Sequence, residues 1–441
     1  MRAIKIRLKN PIRMLYDEYS LDSVLRKDLN LVLFGIATVM IYYPTTTGPA
    51  LTGYAKALGA GDFFYGLIMA VPVIGAAMQI VASYIIESTG RRKKLFVLFG
   101  IIGRGLWILI GAVPLLVPGA MGNGRLVLVM LLITASTASQ SFVNVGFFPW
   151  MSELAPIAMR GRYMALRSSV GAFVGLVAAI IIAVMLDKCS SFGAYAVLFT
   201  IAAFFGMLDI GGFLFVTDTQ KHGGNSGTEP FTAILKRAVG NQRFRRFLLF
   251  WSLWMFAFNL SNAFGNMYAL GMLSLTFLQV ILSGQVAYSL TNILITPGWG
   301  RLLDRRGPKW VLKRGGILSS AVQLLWLFAK PGSAWPLFLV NIAYGATMPS
   351  VDLVNQQMQM SSTPERNRSM YVALFAAVTS VAGTALGYFC GGAILEMLGE
   401  ISFRVGPVLM DRYKILFVCA GILRIVLLLI FVPGMEDNMD N

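Results

Sequence analysis

The sequence predicts an all-α integral membrane fold, with twelve transmembrane helices in two pseudo-symmetric six-helix bundles, on three observations. Of its 441 residues 56% are hydrophobic and only 13% charged, whereas a soluble fold carries roughly 25% charged residues. Apolar stretches of about 20 residues, the length that crosses roughly 30 Å of hydrocarbon, recur twelve times along the chain. Polar motifs between the stretches of the first half return in the same order in the second.

In order, the spans run 29–51, 63–86, 95–117, 126–148, 165–185 and 192–216, then 247–270, 275–299, 310–328, 335–356, 370–394 and 413–432. They divide the chain into an N-terminal cytoplasmic segment 1–28, a six-helix bundle 29–216, a cytoplasmic central loop 217–246, a second six-helix bundle 247–433 and a cytoplasmic tail 434–441. Aromatic residues and glycine are abundant, as suits helices packed against lipid and against one another.

Charge placement fixes the expected orientation. The net charge is +17, which would suit nucleic acid if it formed one patch. Instead, most of the 37 basic residues fall in the first segment and in alternate loops. The other loops and their flanks hold only Lys56, Arg125, Lys188, Lys330, Arg404, Arg412 and Lys414. By the positive-inside rule both termini are cytoplasmic, and no nucleic-acid partner is expected. The segment before span 1, with Arg2, Lys5, Arg7, Lys9 and Arg13, leads into a full span and not into a cleavable signal region. It reads either as an interfacial helix or as a solvated basic tail.

Residue usage narrows the chemistry. Cys189, Cys390 and Cys419 stand far apart, and the single histidine, His222, lies in a polar loop. Neither a metal site nor a disulfide framework is indicated. No phosphate loop of the GxxxxGK[ST] type occurs, so no cofactor and no enzymatic activity are expected.

The internal repeat locates the first motif. After span 2 the chain reads Ser83-Tyr84-Ile85-Ile86-Glu87-Ser88-Thr89-Gly90-Arg91-Arg92, and after span 8 it reads Gly300-Arg301-Leu302-Leu303-Asp304-Arg305-Arg306-Gly307-Pro308-Lys309. Glu87 aligns with Asp304 and Gly90 with Gly307. Pro156 to Tyr163 after span 4 matches Pro364 to Tyr371 after span 10 in the proline, an arginine and the tyrosine. Spans 6 and 12 open on Tyr195 and Tyr413. Two parallel six-helix repeats place a binding site near the midplane between the halves.

The loop motif, glycine, three residues, aspartate, arginine, one residue, glycine and basic residues, resembles the signature of the major facilitator superfamily. Trp150-Met151-Ser152-Glu153-Leu154-Ala155-Pro156, leading to Arg160, is similar to a group of bacterial members. Ser83, Glu87 and Ser88 depart from the signature in the first copy, and Pro308-Lys309 in the second, so a close approach at Gly300 is better supported than one at Ser83. The resemblance implies a secondary active transporter in the cell membrane, monomeric, moving a small solute by alternating access. It also implies a conformational latch between the halves, formed by Glu87, Gly90, Arg91, Arg92, Gly300, Asp304, Arg305, Gly307 and Lys309 with Glu153, Arg160 and Arg368 as partners. Charge-assisted bonds made in only one state would bias the exchange.

Intramembrane polar residues supply the substrate and proton candidates. Asp352 on span 10, with Asn355 and Gln356, could bind a solute or carry a proton; Asn144 is its counterpart on span 4, beside Gln140. Tyr42, Tyr43, Trp254, Asn259 and Asn262 complete the set on spans 1 and 7, where aromatic faces and amides can hold a polar solute. Arg104 on span 3 and Asp209 on span 6 fall at similar depth and read as a structural ion pair. Arg424 on span 12 has no evident partner. Gly383, Gly387, Gly391 and Gly392 form a small-residue face on span 11 that reads as helix packing. Efflux of amphipathic compounds is the leading function, with protons as the candidate coupling ion. The alternatives are an uptake permease for a polar nutrient such as a sugar, and a non-transporting sensor or scaffold.

Overall fold

Spans 3 to 6, 10 and 12 are single helices, whereas spans 1, 2, 7, 8, 9 and 11 are broken or change pitch along their length. The computed structural model describes residues 19, 21–117, 119, 123–218, 240–362 and 368–434, with the side chains of 243, 362 and 368–370 outside that description. Most of the expected segment 1–28, His222 with most of the central loop, the tail beyond 434 and the side chain of Arg368 therefore lie outside the described residues.

Span 1 is α1 (Ser23–Thr46), capped by the Asp22 side chain. It ends at Thr47, and Gly48, at φ +57, starts a separate helix α2 (Gly48–Ala57) with proline in its first turn. Span 2 divides into α3 (Asp62–Ala76) and α4 (Gln79–Thr89), and Gly90 ends α4 in the left-handed conformation. Spans 3 to 6 are α5 (Arg92–Leu116), α6 (Gly124–Leu154), α7 (Ile157–Lys188) and α8 (Phe192–Gly212).

The second half repeats this order with more interruptions. Span 7 is α9 (Gln242–Asn262) followed by the short α10 (Phe264–Leu270). Span 8 opens with α11 (Phe277–Ile281), passes a π-helical turn at Leu282–Ala287 and continues into α12 (Tyr288–Ala321). Gly307, at φ 76 and ψ 165, interrupts α12 and separates span 8 from span 9, which closes in a 3-10 turn at Val322–Phe328. The whole run Phe277–Phe328 is 52 residues, about 80 Å at 1.5 Å per residue and so enough for two crossings. Span 10 is α13 (Trp335–Ser362). Span 11 is α14 (Arg368–Val378), a π-helical turn at Thr379–Ala385 and α15 (Leu386–Leu398). Span 12 is α16 (Arg412–Phe431). Gly90 and Gly307, paired by the repeat, thus share a positive φ that glycine adopts without steric cost.

Among the described residues a hairpin departs from the helical pattern. Between spans 11 and 12 lie two short antiparallel strands, β1 (Ser402–Val405) and β2 (Val408–Asp411), pairing Ser402 with Asp411 and Val405 with Val408. A glycine with positive φ, Gly406, sits with Pro407 at the turn.

The small-residue face of span 11 packs helices closely. A methyl group on Gly383, Gly387 or Gly391 would meet the carbonyl oxygens of Ser252, Phe256 and Leu260 on α9, and one on Gly392 would meet the Asp62 carbonyl of α3. Glycines at these positions let the backbones of α9 and α15 approach as closely as they do.

Residues 90–94 and 300–309 mark one face, the basic face. At the opposite face a single apolar core runs through both halves, joining Tyr54, Tyr65 and Tyr195 of the first to Phe264, Tyr268 and Tyr413 of the second. Toward the basic face it gives way to clusters that each stay within one half, two of them large. One holds Leu29, Phe96, Trp150, Tyr163 and Phe213 of the first half, and the other holds Phe247, Trp251, Leu303, Tyr371 and Phe375 of the second.

Candidate functional site

Two levels of the molecule hold polar groups that a membrane fold would otherwise avoid: the seam between the halves at the face opposite the basic loops, and the interior of each bundle.

At the seam, Asp62 begins α3 and is buried. Its carboxylate pairs with the Arg412 guanidinium at 3.1 Å and accepts from the Tyr413 hydroxyl, both from the start of α16. Nearby, the Tyr65 hydroxyl donates to the Ala263 carbonyl at 3.0 Å and the Lys56 ammonium to the Leu270 carbonyl at 2.7 Å. The two oxygens of Asp187, at the end of α7, accept from the backbone N–H groups of Phe277 and Leu278 at 2.6 and 3.0 Å. A carboxylate at a helix N-terminus meets both unpaired donors and the positive end of the helix dipole. Each of these bonds joins one half to the other.

On the basic face the motif residues bond within a half. Arg92 grips Glu153 through two parallel bonds of 3.0 and 2.7 Å, with Asp218 at 3.6 Å from the same guanidinium and the Trp150 ring at 5.6 Å. Arg160 donates to the Ser152 and Ala155 carbonyls, and Lys309 to the Pro433 carbonyl at 3.2 Å. Glu87, Arg91, Asp304 and Arg305 are exposed, and among the described residues Glu87 accepts one long bond, 3.4 Å, from Ser83. The close approach expected at Gly300 is not made in this conformation, since a methyl group there would meet nothing within 4 Å. Of the residues expected to bridge the halves, Arg92 pairs with Glu153 of its own bundle.

Inside the first bundle Arg104 and Asp209 do pair, at 3.3 Å, and both are buried. The guanidinium lies 4.4 Å over the Tyr42 ring and 5.6 Å from the Tyr43 ring. Gly35 lets Asp209 approach α1, because a methyl group there would lie 2.5 Å from the carboxylate oxygen. Arg167, which the sequence did not single out, adds a second cation with its guanidinium 4.4 Å over Phe147. It sits amid an ordinary polar stretch, Arg167-Ser168-Ser169, and carries no signal of its own.

Among the remaining candidates, Asp352, Asn144, Gln356, Asn262 and Tyr43 are exposed, and Gln140 and Asn355 half-buried. Gln140 Nε2 and Asn355 Oδ1 are buried without a hydrogen-bond partner among the described residues, and Gln140 Nε2 packs against Gly103 of α5. Trp254 and Asn259 are engaged within the second bundle instead. Asn259 donates to Thr384 and to the Met255 carbonyl, and buried Trp254 carries the Arg424 guanidinium 4.7 Å above its ring. Arg424 thus has neutral partners, which charge complementarity alone does not reveal. Among the described residues no group of histidine, cysteine or carboxylate side chains could hold a metal ion.

Comparison with known proteins agrees with this architecture. The profile of the Major Facilitator Superfamily matches residues 32–286 and 273–440. The chain is 28% identical over 137 residues to the multidrug resistance protein MdtG of Dickeya zeae, covering 30% of this chain and 31% of that protein. It is 26% identical over 152 residues to the protein of the same name from a Rahnella species, covering 34% and 35%. It therefore spans about a third of the length of the curated relatives it matches. Among solved structures, the nucleoside transporter NupG superposes with a TM-score of 0.68 at 15% identity, over 94% of this chain and 100% of that one. The xylose transporter XylE from E. coli, in its inward open conformation, superposes with a TM-score of 0.62 at 13% identity, over 94% and 96%. At such identities the likeness is one of fold.

Proposed function

The chain belongs to the Major Facilitator Superfamily, and on that premise we propose that it exports small amphipathic solutes across the inner membrane by alternating access, driven by protons. The observation that carries this reading is the shape of the core. One apolar cluster is shared by both halves at one face, and the clusters toward the basic face each stay within one half. Halves joined at one end and independent at the other are what one end-state of a rocking exchanger requires.

With the basic face cytoplasmic, as the charge distribution predicts, this is the inward-facing state. Asp62, Arg412 and Tyr413 then close the outer side. Glu87, Arg91, Asp304 and Arg305 stand free to meet partners when the inner side closes. Exporting amphipathic compounds fits the aromatic interior and the name of the curated relatives. Asp352, exposed on α13 beside Tyr288, is the proposed proton carrier.

The test is a reversible clamp. In a chain with Cys189, Cys390 and Cys419 changed to serine, Lys56→Cys and Leu270→Cys are joined by a reducible bifunctional maleimide. Dye flux in vesicles stops on cross-linking and resumes on reduction if the outer seam must open in each cycle. Flux that continues through the clamp removes the alternating-access reading. Asp352→Asn abolishes acceleration by a pH gradient; unchanged acceleration would assign the proton elsewhere.

A further inference from the structure

Arg104 and Arg424 lie buried deep within the spans, and their surroundings differ. Arg104 has a carboxylate, Asp209, at 3.3 Å. Arg424, fully buried on α16, has only neutral neighbours among the described residues. Its Nη2 donates to the Ser319 hydroxyl at 2.8 Å, and the Tyr344 hydroxyl also interacts with the guanidinium. The rings of Trp254 and Phe258 lie at 4.7 and 5.3 Å. Nε and Nη1 have no acceptor, and among the described residues no carboxylate pairs with it.

A buried cation without a counter-charge is costly, and aromatic faces offset only part of that cost. Asp352 does not serve, because it lies eight residues from Tyr344 on the same helix, about 12 Å along the axis. The missing negative charge is therefore not supplied by the side chains around the site.

Access runs past two rings. Phe258 and Tyr344, edge to face with centroids 6.3 Å apart, are only half-buried. Asn262, one turn along the same face of α9 as Phe258, is exposed and interacts with Tyr388. The Tyr388 carbonyl abuts Gly66 of the first half. The open flank of Phe258 thus borders the space between the halves. The Tyr344 hydroxyl, which interacts with the guanidinium, carries a proton of its own that a solute can accept.

We propose that Phe258 and Tyr344, backed by Arg424, seat the negatively charged end of the solute, so that the preferred cargo is an amphipathic carboxylate. The inference rests on the transporter reading and names its substrate class. A carboxylate oxygen accepts from Tyr344, the guanidinium supplies the counter-charge behind it, and the apolar body lies along the Phe258 ring.

Three probes with one aromatic body separate the charge requirement from hydrophobic binding: 1-naphthoate, 1-naphthamide and 1-naphthylmethylammonium, measured by equilibrium dialysis against the purified full chain. Naphthoate binds at least tenfold more tightly than either of the others, and Arg424→Gln removes that preference. Tyr344→Phe, which keeps the ring and the buried charge, weakens naphthoate alone, and it carries the test if Arg424→Gln does not fold. Tighter binding of the ammonium probe, a preference that survives both variants, or no saturable naphthoate binding overturns the proposal. None of those outcomes touches the cross-linking result, on which the transporter reading stands or falls separately.

Discussion

Asp62 and Arg412 stand 3.1 Å apart, one at the start of span 2 and the other at the start of span 12, so that an ion pair ties the first residues of two helices, one from each bundle. The carboxylate is buried and the guanidinium is a quarter exposed, which places the pair at the rim of the seam and not in its interior.

Asp62→Asn removes the charge and keeps the shape. Arg412 can hydrate, so the loss is about 1.4 kcal/mol, the lower range for a hydrogen bond to a charged group, and a tenfold shift in the balance of states. Thiol labelling of Thr52→Cys, buried at the same face, rises accordingly. Labelling at the parental rate would separate Asp62 from control of the seam.

Asp304→Asn is expected to act on the opposite closure. The residue is exposed here, so substrate affinity measured in this state changes little, while exchange slows because the alternative state loses a partner. Equal exchange rates in variant and parent would remove Asp304 from the latch.

The Arg92 and Glu153 pair should respond unequally to loss of either member. Arg92 is 4% exposed and Glu153 38%, so Glu153→Gln takes a paired carboxylate away from a buried cation, with Asp218 at 3.6 Å as partial relief. Arg92→Gln leaves a carboxylate that water can reach. Thermal unfolding in detergent should therefore fall further for Glu153→Gln, by about 1 to 2 kcal/mol of additional destabilisation. A reversed order would mean that Arg92 is hydrated.

Two glycine substitutions separate packing from motion. Gly391→Ala would bring a methyl group against the Leu260 carbonyl, and the overpacking costs about 1 to 3 kcal/mol in unfolding measurements. Gly300→Ala meets nothing within 4 Å and leaves stability unchanged, yet it slows transport if the motif closes tightly in the other state. Parental flux in Gly300→Ala would show that no such approach occurs.

The spans are legible because lipid demands long apolar runs, and the repeat is legible because Gly90 and Gly307 both need a positive φ. The π-helical turns at Leu282–Ala287 and Thr379–Ala385 are not, since a shift in backbone hydrogen bonding leaves hydropathy unaltered. The hairpin at β1 and β2 is too short to show a strand period, although Gly406-Pro407 marks its turn. Arg104 and Asp209 can be paired because opposite charges at one depth are rare in a membrane. Asp62 and Arg412 cannot, because charges at span ends are commonplace and these two lie far apart in sequence. Arg424 stays without a partner in the sequence because its neighbours, Trp254, Phe258 and Ser319, are neutral.

The start of α11 draws its caps from two sources. Thr276 and Gln279 satisfy each other's backbone groups, while Phe277 and Leu278 depend on Asp187 of the other half. The helix therefore keeps half of its terminus satisfied from within when the halves separate, and Asp187, exposed at the rim, leaves donors that water can take up at once. A junction made this way is wetted and not torn: its rupture exchanges one set of hydrogen bonds for another, which keeps the barrier to parting low and lets the same surfaces rejoin unchanged over many cycles.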